Sequence, residues 1–137
     1  MTTSADRDEA WVLLRNLVLD NERRRQVSDA VGMSFGRIKA LRRIAAGSMT
    51  MGELAATLGT DPPYLTVVVD DLEVQGLVER RPHPTDRRAK LVVATRKGKD
   101  LARRAEAILG EVPPGMSALD DDELGDLLRI LRKIAAD

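Results

Sequence analysis

The stretch from 78 to 96, VERRPHPTDRRAKLVVATR, sets Asp86, Arg87 and Arg88 in a row within a Pro/Asp turn between two β-prone runs. Asp86 and Arg88 stand two residues apart at the tip of such a hairpin, close enough for the carboxylate to orient the guanidinium. An exposed arginine held in this way suits a narrow minor groove. An Asx-turn cap is the other role open to Asp86. Arg81, Arg87 and Lys90 on the same hairpin suit phosphate oxygens, where contacts fix register without reading bases. His83, the single histidine, also falls in the tip, as a solvated turn residue or a phosphate contact rather than a metal ligand or catalytic base. The chemistry on offer is recognition of a polyanion, not the making of bonds.

Other chemistries find no support in the sequence. There is no cysteine, which removes disulfides, thiolate metal sites and thiol redox sensing. No P-loop, GxGxxG, GxSxG or HExxH pattern occurs. The run Asp120 to Asp122 reads as charge at a helix N-terminus, since a calcium loop needs alternating ligands and a glycine. No enzymatic activity, metal or cofactor is expected. The first residues are acidic where a signal peptide would be basic, and no apolar run approaches the ~20 residues of a membrane span. A cytoplasmic protein with no membrane partner is expected.

Net charge is zero over 137 residues, but it is segregated. Residues 1–76 hold 9 basic and 11 acidic groups, residues 77–105 hold 10 and 3, and residues 106–137 hold 3 and 8. The hairpin segment is thus strongly basic, and a local basic patch is what displaces counterions from phosphates.

The elements that must carry this hairpin are mostly helical. Periodicity predicts a first helix over about 6–30, with Trp11, Leu14, Leu17 and Val18 on one face. Ser34 caps a second helix reaching Ala46, whose buried face is Phe35, Ile38, Leu41 and Ile44. Thr50 and Glu53 have capping-box spacing, with Met49 and Leu54 at staple positions, and Gly59 closes that third helix. After Thr60 and Asp61, Pro62 opens a fourth with Leu65, Val68, Val69 and Leu72 inward, ended by Gly76. Two short helices joined so tightly make a helix-turn-helix, the second being the recognition helix. The hairpin pairs 78–81 with 88–95, its tip at 82–87. Thr95 caps a fifth helix to about Gly110, and Asp120 with Glu123 boxes a sixth. The fold expected is mostly α with a small β-hairpin wing. A single domain, 1–137, has its winged helix-turn-helix at 33–96 and helical dimerisation regions at 1–32 and 97–137.

The run LAATLGTDPPYLTVVVDDLEVQGLVERRPHPTDRRAKLVVATRKGKDL resembles the winged helix of the multiple-antibiotic-resistance regulator (MarR) family. The block from Leu72 to Thr95 carries the likeness: leucine-glutamate, a helix-ending glycine-leucine, valine-glutamate-arginine, then Asp86-Arg87-Arg88 and a strand ending in threonine. The resemblance implies a dimeric transcription factor released from DNA by small ligands, with Asp86 bracing the wing and Arg88 in the minor groove. It also implies an effector cleft between the dimerisation helices and the winged unit, near Trp11, Arg15, Phe35 and Arg42.

The recognition helix departs from the family. Pro62, Val67 and Asp71 occupy positions that are commonly basic or polar, and no Lys or Arg falls between Arg43 and Arg80. Contacts from Thr60, Pro63, Tyr64, Thr66 and Val67 must then be hydrogen bonds to phosphate or base edges and apolar contact with thymine methyls. The function expected is a ligand-responsive repressor binding a palindromic operator on double-stranded DNA as a homodimer. A winged-helix protein-protein module without DNA readout is the alternative, and a ligand-storing helical dimer a third.

Overall fold

Caps and glycines decide where the chain turns. In the computed structural model, which describes residues 3–19 and 22–136, the helices are α1 (Ser4–Leu19), α2 (Glu22–Val31), α3 (Phe35–Ala46), α4 (Met51–Leu58), α5 (Pro62–Val74), α6 (Arg96–Leu109) and α7 (Asp121–Ala135). The strands are β1 (Met49–Thr50), β2 (Val78–Pro82) and β3 (Lys90–Ala94), and a 3-10 turn spans Pro114–Ala118. The run expected as one helix over 6–30 is described as two stretches, α1 and α2. Residues 20 and 21, which that expectation included, lie outside the described residues.

Each cap forms as its sequence requires. The Thr50 hydroxyl accepts from the Glu53 amide at 3.1 Å, and the Glu53 carboxylate accepts from the Thr50 amide at 3.4 Å. Asp120 and Glu123 repeat the reciprocal pair at 2.8 and 3.1 Å. Gly59 ends α4 at φ 64°, a left-handed conformation that a side chain would oppose. Asp61 then accepts from the Tyr64 amide at 2.8 Å and starts α5 at once, with Pro62 at a position whose missing N-H has no helical partner. At the start of α1, hydrogen bonds from the Thr3 backbone amide and then its side chain hold the Asp6 carboxyl below the usual carboxylate value.

The sheet has three antiparallel strands in the order β1-β3-β2, where a two-stranded hairpin was expected. β1 pairs Met49 with Val92 and Thr50 with Leu91, so Thr50 serves both as a strand residue and as the cap of α4. That double use hides the strand from periodicity, which needs more than two residues. β2 and β3 pair from Val78 with Ala94 to Pro82 with Lys90.

One core runs beneath all of this. Ile38, Leu41 and Ile44 of α3, Leu54 of α4, and Leu65, Val68, Val69 and Leu72 of α5 are buried with Val78 and Val92 of the sheet. Val27 of α2 and Ala102 and Ala105 of α6 join the same core, with Leu101, Ile108 and Leu109 packed partly against it. Packing is therefore continuous from α2 through the sheet and α3–α5 to α6. α1 and α7 differ, for neither buries a residue.

The wing rejoins the helices at one crowded point. The Leu77 carbonyl accepts from the Thr95 amide at 3.0 Å, and the Thr95 hydroxyl donates to the Gly76 carbonyl at 2.7 Å while accepting from the Gly98 amide at 3.1 Å. A Cβ at Gly98 would run into the Leu77 carbonyl oxygen and sit 2.9 Å from its carbon. Backbone cannot yield there as a side-chain tip would. Gly98→Ala is accordingly expected to lower the unfolding free energy by about 1–3 kcal/mol, the usual cost of overpacking. A urea titration that leaves the midpoint unchanged would contradict this account of the junction.

Candidate nucleic-acid interface

The buried residues Leu65, Val68, Val69 and Leu72 fix the inner face of α5. At 100° per residue the opposite face is Pro63, Val67, Asp70 and Val74, all exposed. Val67 is 59% exposed. Thr66 lies to the side facing the wing and donates its hydroxyl to the Pro62 carbonyl at 2.9 Å. On the other side Tyr64 leans over α3, its hydroxyl so near Gly36 that a Cβ there would lie 2.6 Å away.

Thr60 is placed differently from expectation. Its amide donates to the Ala55 carbonyl at 3.2 Å, closing α4, and its hydroxyl is buried without a partner instead of facing outward. It lines a cavity of about 40 Å³ at the helix-turn-helix elbow with Gly36, Tyr64 and Val68. The turn geometry that ends α4 directs the side chain inward.

The acids of α5 are held by arginines. Arg37 of α3 reaches Asp71 at 2.6 Å. Asp70 and Glu73 instead share Arg80 of β2, at 2.6 and 3.0 Å, and the Arg80 amide donates to Glu73 at 3.2 Å. Arg80, to which the sequence assigned no role, thus clamps the wing to the recognition helix. Two arginines, Arg37 and Arg80, thus offset most of the charge of the three acids. Only the basic character of β2 pointed to it, since a pairing across 7 and 10 residues between helix and strand has no local periodicity.

At the wing tip, Asp86 accepts from the Arg88 amide at 2.9 Å. This is an Asx turn; the expected grip on the Arg88 guanidinium is absent, because the carboxylate folds back onto the chain before the side chain leaves it. His83 supports the same turn, its Nδ1 accepting from the amides of Thr85 at 3.2 Å and Asp86 at 3.0 Å. An accepting Nδ1 puts the proton of a neutral ring on Nε2. His83 is therefore half-buried scaffolding, more than the solvated residue expected. Arg87, Arg88 and Lys90 are exposed, while Arg81 pairs with Glu79 at 3.0 Å on the same strand. Arg80, His83, Asp86, Arg88 and Lys90 line an open groove against Thr50 and Glu53 at the start of α4.

The four residues expected at an effector cleft are spread over α1 and α3. Trp11 is 62% exposed on α1. Arg15 is also exposed there. Phe35 packs partly on the core beneath Arg24, whose guanidinium carbon is 4.8 Å from the ring centroid. Arg42 is paired with Glu106 of α6 at 2.7 Å through Nε and lines a groove of about 270 Å³ with Lys99 and Arg103. Among the described residues no group of three or more His, Cys, Asp or Glu could hold a metal ion, and no helix is long and apolar enough to cross a membrane.

Comparison with known proteins points in one direction. The MarR family model matches residues 31–89. An uncharacterized HTH-type transcriptional regulator of Mycobacterium leprae (strain TN) is 38% identical over 74 residues, covering 53% of this chain and 52% of that protein. An HTH-type transcriptional regulator of Mycobacterium tuberculosis (strain CDC 1551 / Oshkosh) matches to the same extent. The chain thus spans about half the length of the curated relatives it matches. Among solved structures, the reduced form of MarR from E. coli is 28% identical with a TM-score of 0.71, covering 88% of this chain and 93% of that one. A mutant MarR from E. coli complexed with operator DNA is 25% identical with a TM-score of 0.62, covering 97% and 99%. RV1404 from Mycobacterium tuberculosis, 24% identical with a TM-score of 0.77 over 98% and 93%, shares the fold.

The clamp can be measured. In a double-mutant cycle, Arg80→Ala and Asp70→Ala should show a coupling of about 0.2–1 kcal/mol, modest because Asp70 is more than half exposed. Arg80→Ala should also speed hydrogen exchange in β2 and β3 beyond any global loss of stability. Additive single mutants with unchanged exchange would remove the clamp.

Proposed function

We propose, on the premise that residues 31–89 form a MarR-family winged helix, that this chain is a repressor that binds a palindromic operator as a homodimer and is released by a small-molecule effector. One observation carries the DNA reading: Arg80 ties β2, the strand leading to the exposed Arg87, Arg88 and Lys90, to the helix presenting Pro63, Thr66 and Val67. A helix in the major groove and a basic tip at the adjacent minor groove can then engage as one rigid unit. Arg88 enters the minor groove, where A·T tracts concentrate negative potential. Arg87, Lys90 and Arg81 contact phosphates, with Arg81 exchanging Glu79 for the backbone. Asp86 and His83 set the turn from which Arg88 projects.

Dimerisation is supported by what α1 and α7 leave uncovered. Trp11, Leu13, Leu17 and Val18 on α1, and Leu124, Leu128, Leu131 and Ile134 on α7, are large apolar residues exposed in the single chain. Terminal helices that contribute nothing to their own core suit a two-fold interface, and a two-fold protein suits a palindrome. The effector site, near Trp11, Arg15, Phe35 and Arg42, would be completed between α1, α3, α6 and a second protomer. Sedimentation at micromolar concentration should give a dimer; a monomer that still binds operator would defeat this assembly.

Selection of bound sequences from a random DNA pool tests the function itself, and should return half-sites about one turn, roughly 34 Å, apart. Arg88→Ala should cost about 1–3 kcal/mol in operator affinity with the fold intact. Asp86→Ala should cost less, and the double variant no more than Arg88→Ala, since the Asx turn serves the arginine it precedes. A silent Arg88→Ala would move the reading role away from the wing.

A further inference from the structure

We propose that the recognition helix reads thymine methyl groups as its principal base contact, a specificity that rests on the DNA-binding function proposed above and names the operator class it selects. The first half of a recognition helix is the part that meets base edges. In α5 the outward positions of that half are Pro63 and Val67, an apolar ridge with no polar side-chain atom.

The flanking groups do not change this character. Thr66 has its hydroxyl hydrogen engaged with the Pro62 carbonyl, leaving a methyl and acceptor lone pairs. Tyr64 leans onto Gly36 of α3, and Asp61 is occupied by the Tyr64 amide. α5 contains no Lys, Arg or Asn, so bidentate readout of guanine or adenine has no donor there. Gln75, just past its end, is bonded to Asp71 at 3.0 Å. Asp70, the carboxylate on this face that could accept from a cytosine amino group, is already held by Arg80 at 2.6 Å. Among base-edge features of the major groove only the thymine C5 methyl is apolar. A ridge of Pro and Val desolvated against anything else would gain nothing.

The wing reinforces the same choice. The minor groove that best attracts Arg88 is the narrow one of A·T tracts, so both contacts favour operators rich in A·T pairs.

Deoxyuridine isolates the contact, because it keeps every hydrogen-bonding group of thymidine and lacks only the methyl. Operator obtained by selection is compared with versions carrying deoxyuridine at the half-site thymines or, as a control, at thymines outside the half-sites. Half-site replacement should weaken binding roughly fourfold per contacted methyl, the equivalent of one buried CH₂, while the control leaves it unchanged. Val67→Ala should weaken binding to the thymine operator and be nearly indifferent to deoxyuridine; its exposure on α5 keeps the fold out of the result, which a melting curve checks. Equal binding of thymine and deoxyuridine half-sites would overturn the inference while leaving the chain a DNA-binding protein. An undiminished deoxyuridine effect in Val67→Ala would overturn the assignment to this ridge. Absence of any salt-sensitive DNA binding would overturn both the inference and the function beneath it.

Discussion

The contact of Gly98 with the Leu77 carbonyl governs how the winged unit closes. The chain leaves α5 through Gly76, whose φ of 74° requires a glycine, makes the wing, and returns at Thr95 to the place it left. The Thr95 amide and hydroxyl satisfy the carbonyls of 77 and 76, the Gly98 amide donates to that hydroxyl, and the first turn of α6 can descend onto them only because position 98 has no side chain. Everything the wing does at its tip is referred to this base. Arg80 then fixes the second coordinate, the angle between β2 and α5.

Charge is distributed with the same economy. The formal balance of 22 basic and 22 acidic residues conceals a surface on which acids of α5 are matched internally by Arg37 and Arg80. The cations left exposed at the tip are Arg87, Arg88 and Lys90. In the proposed complex, binding energy drawn from so few phosphates would be modest, which would place more of the discrimination on shape and apolar contact than on counterion release.

Much of this was legible in the sequence, and the reason is locality. Capping boxes at Thr50 and Asp120, the tight link through Thr60 and Asp61, and the i, i+3, i+4, i+7 stripe from Leu65 to Leu72 are all decided within one or two turns. Interactions that span elements were not. The clamp by Arg80 joins residues brought together by a helix-strand corner, and the steric demand at Gly98 comes from a carbonyl 21 positions earlier. Asp86 shows a subtler limit: spacing to Arg88 was read correctly, but the backbone amide is nearer than the guanidinium and takes the carboxylate. The inward turn of Thr60 likewise depends on α3 lying behind it.

The three-stranded sheet has one further property. Its edges are β1, two residues long and running straight into a helix, and β2, which ends in Pro82 and carries Glu79 and Arg81. The Arg80 amide of β2 is taken by the Glu73 carboxylate and so is not offered to another strand. Short length, proline, charge and an occupied donor are the means by which sheet edges resist pairing with their neighbours. Copies of this chain brought together on DNA, as proposed, would thereby be guarded against pairing through their wings.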